Sequence, residues 1–222
     1  MAKVWLAVHT DTVYRSSKLI KKYPYLRGVE KRDNKIVGAL DNKLSIKAVE
    51  GFGGKVVFYG NEEYFYYVDK NDRVVMEENN SDEGLKFMVE YGSITKNDIV
   101  LVVDVDGYNK IQQWDISLEN PYGFDIDEIR RIKYELCRNN IRARYRMKYK
   151  VGEDSTYLIS KYKIRTMAII CPVYPIKVGK EDRINGYQHS KAGTWTNYDT
   201  YCKFKEGIKI VYEMMENEIF KN

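Results

Sequence analysis

The sequence predicts an α/β fold, with a mainly parallel or mixed sheet flanked by helices and an amphipathic helix near the C-terminal end. Three observations carry that expectation. Short apolar runs of strand character alternate with segments of helical period through the first half of the chain, the rhythm of strand-helix-strand crossovers. The run Ile99-Val-Leu-Val-Val103 is apolar without interruption, as in a strand covered on both faces. Tyr201, Phe204, Ile208, Val211, Met215 and Ile219 recur at helical spacing and form one stripe. The 222 residues, 44% of them hydrophobic, suffice for a single domain over 1–222 with a substantial core.

Taken in order, Lys3 to Val8 reads as the first strand. Thr10 or Asp11 can cap a helix through Val13, Ser17, Leu19 and Ile20 to Tyr23, where Pro24 stops it. Lys35 to Leu40 is expected to form a short strand. Leu44 to Phe52 is expected to be a short helix with Ile46, Val49 and Phe52 inward, and Gly53-Gly54 separates it from a strand at Lys55 to Tyr59. Tyr64 to Val68 and Arg73 to Met76 read as a hairpin. Ser81 can cap a helix carrying Leu85, Met88 and Val89, which Tyr91-Gly92 ends before the apolar strand. Asn120-Pro121-Tyr122-Gly123 reads as a loop, and Asp125 or Asp127 caps a helix with Ile129, Ile132 and Leu136 inward. Thr166 to Val173 reads as another buried strand, and 179–200 as an ordered loop or lid ahead of the last helix.

Composition narrows the classes. The apolar runs are far too short for a membrane span, so no transmembrane segment or secretory signal is expected. Cys137, Cys171 and Cys202 are odd in number and far apart, which argues against a disulfide framework or a zinc knuckle and makes a reducing cytoplasm the expected setting. No P-loop, Gly-x-Gly-x-x-Gly or Ser-His-Asp pattern is present. The net charge of +5 is mild except in Ile141 to Val151, where Arg142, Arg144, Arg146, Lys148 and Lys150 occupy one face of an alternating strand. Such a row suits a polyanionic, membrane-surface or nucleic-acid partner, or protects an exposed edge from pairing with another chain. Tyr145 and Tyr149 lie on the opposite face, so the strand lacks the mixed stacking and cationic surface of a single-strand binder.

The strongest chemical pattern is Asp104-Val105-Asp106-Gly107, directly after the apolar strand. Carboxylates two apart share one side of a strand, so Asp104 and Asp106 can reach one hard cation, Mg²⁺ or Mn²⁺, and hold it against a diphosphate. The bland alternative is a strand entering an Asp-Gly turn. His9 and His189 are the two histidines, and a lone histidine is more often a hydrogen-bonded residue than a ligand.

The segment from Thr95 through Asp98, the apolar strand and Asp104-Val-Asp106 resembles that of GT-A glycosyltransferases, in which a strand ends in an Asp-x-Asp motif. The resemblance spans residues 3–110 in pattern. It implies a Rossmann-like GT-A fold with a nucleotide-binding half over 1–110 and an acceptor-side half over 111–222. It further implies metal-dependent transfer of a sugar from a nucleotide-sugar donor to an acceptor hydroxyl, with Thr10, Asp11, Arg15 and Asp104 at the donor. Asp104, Asp106 and His189 would hold the metal, and Asp182, beside Glu181, would act as the base. Two other readings fit the same acids: a primase-like nucleotidyltransferase or nucleic-acid-binding protein, and a non-enzymatic viral or structural protein on a Rossmann-like scaffold.

Overall fold

A computed structural model describes residues 3–9, 13–15, 29–32, 35–38, 41–53, 55–59, 64–68, 71, 74–78, 83–108, 113–147, 159–175 and 194–217. In chain order the described elements are β1 (Val4–His9), β2 (Val13–Arg15), β3 (Val29–Arg32), β4 (Lys35–Gly38), α1 (Asp41–Ala48), β5 (Lys55–Tyr59), β6 (Tyr64–Val68) and β7 (Val74–Glu78). They continue with α2 (Glu83–Glu90), β8 (Ile99–Tyr108), β9 (Ile116–Tyr122), α3 (Ile126–Arg138), β10 (Ala143–Arg146), β11 (Arg165–Pro175), β12 (Thr194–Asn197) and α4 (Tyr198–Glu216).

The main sheet is mixed. Four strands run parallel in the order β5-β1-β8-β11, and β9 joins the far edge of β11 antiparallel, with β10 parallel to β9. At its C-terminal end β11 changes partner and pairs with β12, which continues the sheet through β4 and β3. A separate small sheet joins β2, β6 and β7.

Helices cover both faces of the parallel core, as its two-sided apolar strands require. Even residues of β1 and odd residues of β8, Leu6, Val8, Leu101 and Val103 among them, meet α1, α3 and α4 through Leu44, Ala48, Ile132, Leu136, Phe204 and Ile208. The opposite set, Ala7, Val100, Val102 and Ala168, packs with Ile94, Ile159 and Ile164 and with Met88 and Val89 of α2. Gly92 ends α2 at φ +74°, and its turn lets Ser93 and Ile94 both donate to the Met88 carbonyl. Tyr201 fixes α4 to α1 by donating to the Leu44 carbonyl at 2.9 Å.

Asp98 sets the register of β1 against β8. Its carboxylate is buried and accepts from the Lys3 N–H at 3.0 Å, the Thr95 N–H at 2.9 Å and the Thr95 hydroxyl at 3.1 Å. Burial pushes its pKa up, but the bonds from Thr95 and Lys3 outweigh burial and leave it below the ordinary aspartate value.

Several expectations need correction. Val13-Tyr14-Arg15 is a strand paired with Tyr64 to Tyr66, so the expected helix does not begin at Val13, and 16–28 lie outside the described residues. β-branched and aromatic residues at these positions suit pairing with the Tyr-rich β6 better than a helix. In α1 the buried residues are Leu44, Ser45 and Ala48, followed by Val49, while Ile46 is exposed at 38%. Asn120-Pro121 is a bulge within β9: the register against β11 shifts between Thr166 and Ala168, and Asn120 adopts φ 48°. A bulge tolerates a proline that cannot donate to the ladder. Residues 194–200, expected in a loop, form β12 and the start of α4. Among the described residues no helix is long and apolar enough to cross a membrane.

Candidate functional site

Strand order fixes where a ligand would sit. β1 has β5 on one side and β8 on the other, so the direction of strand addition reverses at β1 and β8. In open α/β sheets the crevice outside the carboxyl ends at such a reversal is the usual ligand position. The register Val8↔Val103 brings His9, the last residue of β1, level with Asp104. His9 Nδ1 lies 3.6 Å from Asp104 Oδ1, with the two side chains 14% and 15% exposed. Alternation puts both on the α2 side with Ala7 and Val102. Asp104 Oδ1 also accepts from the Val105 N–H at 2.7 Å.

The expected acidic pair thus has a different setting. β8 does not end at the acids but continues to Tyr108, with Gly107 and Tyr108 paired to Pro172 and Val173. Asp106 belongs to this strand, and its side chain is outside the described residues, as is that of Arg15 in β2. Thr10, Asp11, Glu181, Asp182 and His189 also lie outside the described residues. Among the described residues no group of three or more His, Cys, Asp or Glu forms a cluster for a metal ion. His9, undervalued in the sequence as a lone histidine, is the residue that the fold brings to Asp104. The legible signal was its position at the very end of an apolar strand. Cys171 is no nucleophile here: it is fully buried in the α4-side core, and burial pushes its thiol far above the usual range.

The basic strand is rooted in buried acids. Arg142 binds Asp115 through Nε at 3.2 Å and Nη2 at 3.0 Å, and Lys203 reaches the same carboxylate at 3.2 Å. Burial raises the Asp115 pKa, but bonds from Arg142 and then Lys203 bring it below the ordinary aspartate value. Arg144 binds Ser117 at 2.8 Å and Glu119 at 3.1 Å and lies 3.8 Å over the Trp114 ring. The expected row of cations for a polyanion is therefore partly neutralised from within at Arg142 and Arg144. Arg146 is half-buried, and Lys148 and Lys150 lie outside the described residues.

No protein-family model matches the chain, and no curated protein matches it. Solved structures do. A protein described as a candidate peptidase/endoglucanase superposes with a TM-score of 0.50 at 12% identity, covering 96% of this chain and 82% of that one. The two share a fold. Pyroglutamyl peptidase I from Bacillus amyloliquefaciens has a TM-score of 0.45 at 14% identity, covering 98% of this chain and 97% of that one. PhTET1-12s has a TM-score of 0.49 at 14% identity, covering 83% of this chain and 53% of that one. The chain thus spans about half the length of PhTET1-12s and, at 47%, of prApe1. None of these structures is described as a glycosyltransferase. The GT-A resemblance, with its nucleotide-sugar donor and manganese, is accordingly set aside, and the two alternatives built on the same acids gain no support. The physical reason lies in β2 and β8: Val13–Arg15, expected to open the helix at the donor, is a strand, and the Asp-x-Asp sits within a continuing strand.

Proposed function

We propose that the chain is a hydrolase of peptide bonds, with the reacting centre at His9 and Asp104. The observation that carries this reading is the 3.6 Å approach of the two side chains at the carboxyl ends of β1 and β8, where the sheet order reverses. The similarity in fold to a described peptidase/endoglucanase supports the choice of reaction.

The separation is longer than a direct hydrogen bond and leaves room for a shared ligand between the two side chains. A charge-assisted N–H to carboxylate bond is about 2.7–2.9 Å long. Two ligand atoms each about 2.0–2.1 Å from one tetrahedral cation are about 3.3–3.4 Å apart. The 3.6 Å spacing is nearer the second. An imidazole with a carboxylate suits zinc or a similar divalent ion better than the oxygen-only site of magnesium. Such an ion, when bound, lowers the pKa of a water and polarises a carbonyl. His9 and Asp104 would hold it, and the Val105 N–H, donating to Asp104 Oδ1, fixes the carboxylate's orientation. Ala7 and Val102, packed against the α2 side, make the floor beneath the pair rigid. The free thiols Cys137, Cys171 and Cys202 support the cytoplasmic setting expected from the sequence.

The test is hydrolysis of a mixed fluorogenic peptide library by the full chain after chelation and re-addition of Zn²⁺, Co²⁺, Mn²⁺ or Mg²⁺ singly. Cleavage that needs a divalent ion is expected. Asp104→Asn and His9→Gln should each lower kcat by about a hundredfold or more, the scale of losing a preorganised electrostatic group. No cleavage with any ion, or full activity of Asp104→Asn, would overturn the reading.

A further inference from the structure

We infer that the chain removes dipeptides from the carboxyl end of its substrates, the C-terminal carboxylate being held by Arg144 and Arg146; this rests on the hydrolase reading above. Alternation settles which face these residues occupy. Ala143 of β10 and Ile116 and Leu118 of β9 pack into the α4-side core. Arg144, Arg146, Ser117 and Glu119 therefore face the α2 side, as His9 and Asp104 do. Ile170 of β11 joins that face, packed with the cluster of Ala168 and only half-buried.

Strand register sets these residues in a row. Asp104 is level with Ile170 on β11, Ile170 with Ser117 on β9, and Ser117 with Arg144 on β10. Arg144 Nε donates to Ser117 Oγ at 2.8 Å, which draws the guanidinium from β10 back over β9. It then lies two strand spacings from Asp104, about 10 Å at ~4.8 Å each. A carboxylate accepting from it at about 2.8 Å is left about 7 Å from the reacting centre, the reach of two extended residues at ~3.3–3.6 Å each. A peptide laid across the strands, over Ile170, thus brings its chain end to Arg144 two residues beyond the bond.

Charge selects the carboxyl end over the amino end. A guanidinium has about five N–H donors. In Arg144, Nε goes to Ser117 and one donor on Nη2 to Glu119 at 3.1 Å, and the others have no partner among the described residues. Glu119 is 10% exposed against 28% for Arg144, so the cation is the more accessible of the two. The side chain of Arg146, level with Glu119, has no ion pair or hydrogen bond with a described residue. Burial, and with it the charge of Arg146, pushes the Arg144 pKa down against the pull of Glu119. Two guanidinium groups thus share one internal carboxylate, and a protonated amino terminus would be repelled. Trp114, 3.8 Å from Arg144 Cζ, holds the guanidinium plane for a two-oxygen ligand. In the reaction the oxygen of water joins the carbonyl carbon, the C–N bond breaks and the leaving amine takes the proton.

The test uses the full chain and short peptides of one sequence, ending in a free acid or an amide, with products identified by mass. The free acid should be cut at the bond two residues from its end, and amidation should raise KM by about ten- to a hundredfold, the loss of a charged hydrogen bond, with kcat little changed. Arg146→Gln should narrow that gap several-fold while cleaving the amide as wild type does. Equal KM for acid and amide overturns the inference and leaves the hydrolase reading standing. So does an interior Glu in a longer amidated peptide that serves as well as the chain end. If no peptide is cleaved the hydrolase reading fails, and fluorescence anisotropy of the same labelled peptides decides the carboxylate site. A salt-sensitive preference for the free acid that Arg146→Gln weakens supports it, and equal binding overturns it.

Discussion

Replacing Asp98 with Asn keeps the side chain's shape and removes the charge that ties the start of β1 to the start of β8. Three donors converge on the carboxylate, from the Lys3 N–H at 3.0 Å, the Thr95 N–H at 2.9 Å and the Thr95 hydroxyl at 3.1 Å. A hydrogen bond to a charged group contributes about 1.5–3 kcal/mol. The amide retains one acceptor oxygen and turns its NH₂ toward a backbone N–H, so one such bond is lost and a donor faces a donor. The expected cost at neutral pH is about 3 kcal/mol. Urea denaturation of wild type and Asp98→Asn, followed by tyrosine and tryptophan fluorescence, measures it. The pH dependence is a second check. The folded-state pKa of Asp98 is below that of an unfolded aspartate, so its contribution is complete above the unfolded value and is lost as pH falls through the folded-state value. The gap between wild type and variant should therefore be widest near pH 7 and narrow once the wild-type carboxyl is protonated. A gap below about 1 kcal/mol at pH 7, less than one charged hydrogen bond, would refute the reasoning, as would a gap that is unchanged in acid.

Three further outcomes are expected. Asp115→Asn strips a buried carboxylate from Arg142 and Lys203; because both cations can rehydrate, the loss should fall at or below the lower end of the ~3–5 kcal/mol range for broken buried pairs, read from thermal melting. Gly123→Ala puts a methyl 2.8 Å from Arg165 Cγ at φ +75°, and should cost about 1–3 kcal/mol as a shift in the urea midpoint; an unchanged midpoint would mean the bend relaxes freely. Phe204→Ala empties the largest fully buried position among the described residues and should cost about 3–5 kcal/mol, whereas Phe204→Leu should recover most of the melting temperature.

The parallel core was legible because its strands are apolar on both faces and bounded by clear punctuation. Ile99 to Val103, Thr166 to Val173 and Lys55 to Tyr59 all appear as expected. Asp125 capping α3 was equally readable: its side chain accepts from the Asp127 and Glu128 N–H groups, and Glu128 returns a bond to the Asp125 N–H. Short segments were harder. Val13 to Arg15 carries too few residues to show a period, and its strand depends on β6, distant in sequence. Buried charge misled the reading of the basic strand, since Asp115 and Glu119 are indistinguishable in sequence from solvated acids. The candidate site was half visible: Asp104 stood out by following an apolar strand, but nothing local ties it to His9, which only the β1–β8 register brings alongside.

The double partnership of β11 has a consequence for biosynthesis. This strand is paired with β8 and β9 along most of its length and with β12 at its end, yet it is translated after both β8 and β9. Until it emerges from the ribosome, the valine-rich margin of β8 has no native neighbour on that side, and β9 with β10 has nothing to dock against. The nascent chain therefore carries an open, adhesive strand through much of its synthesis, the kind of intermediate that aggregates or recruits chaperones. The parallel core can close against β9 only once β11 has been made, and β12, made later still, is needed to join β11 to β4 and β3.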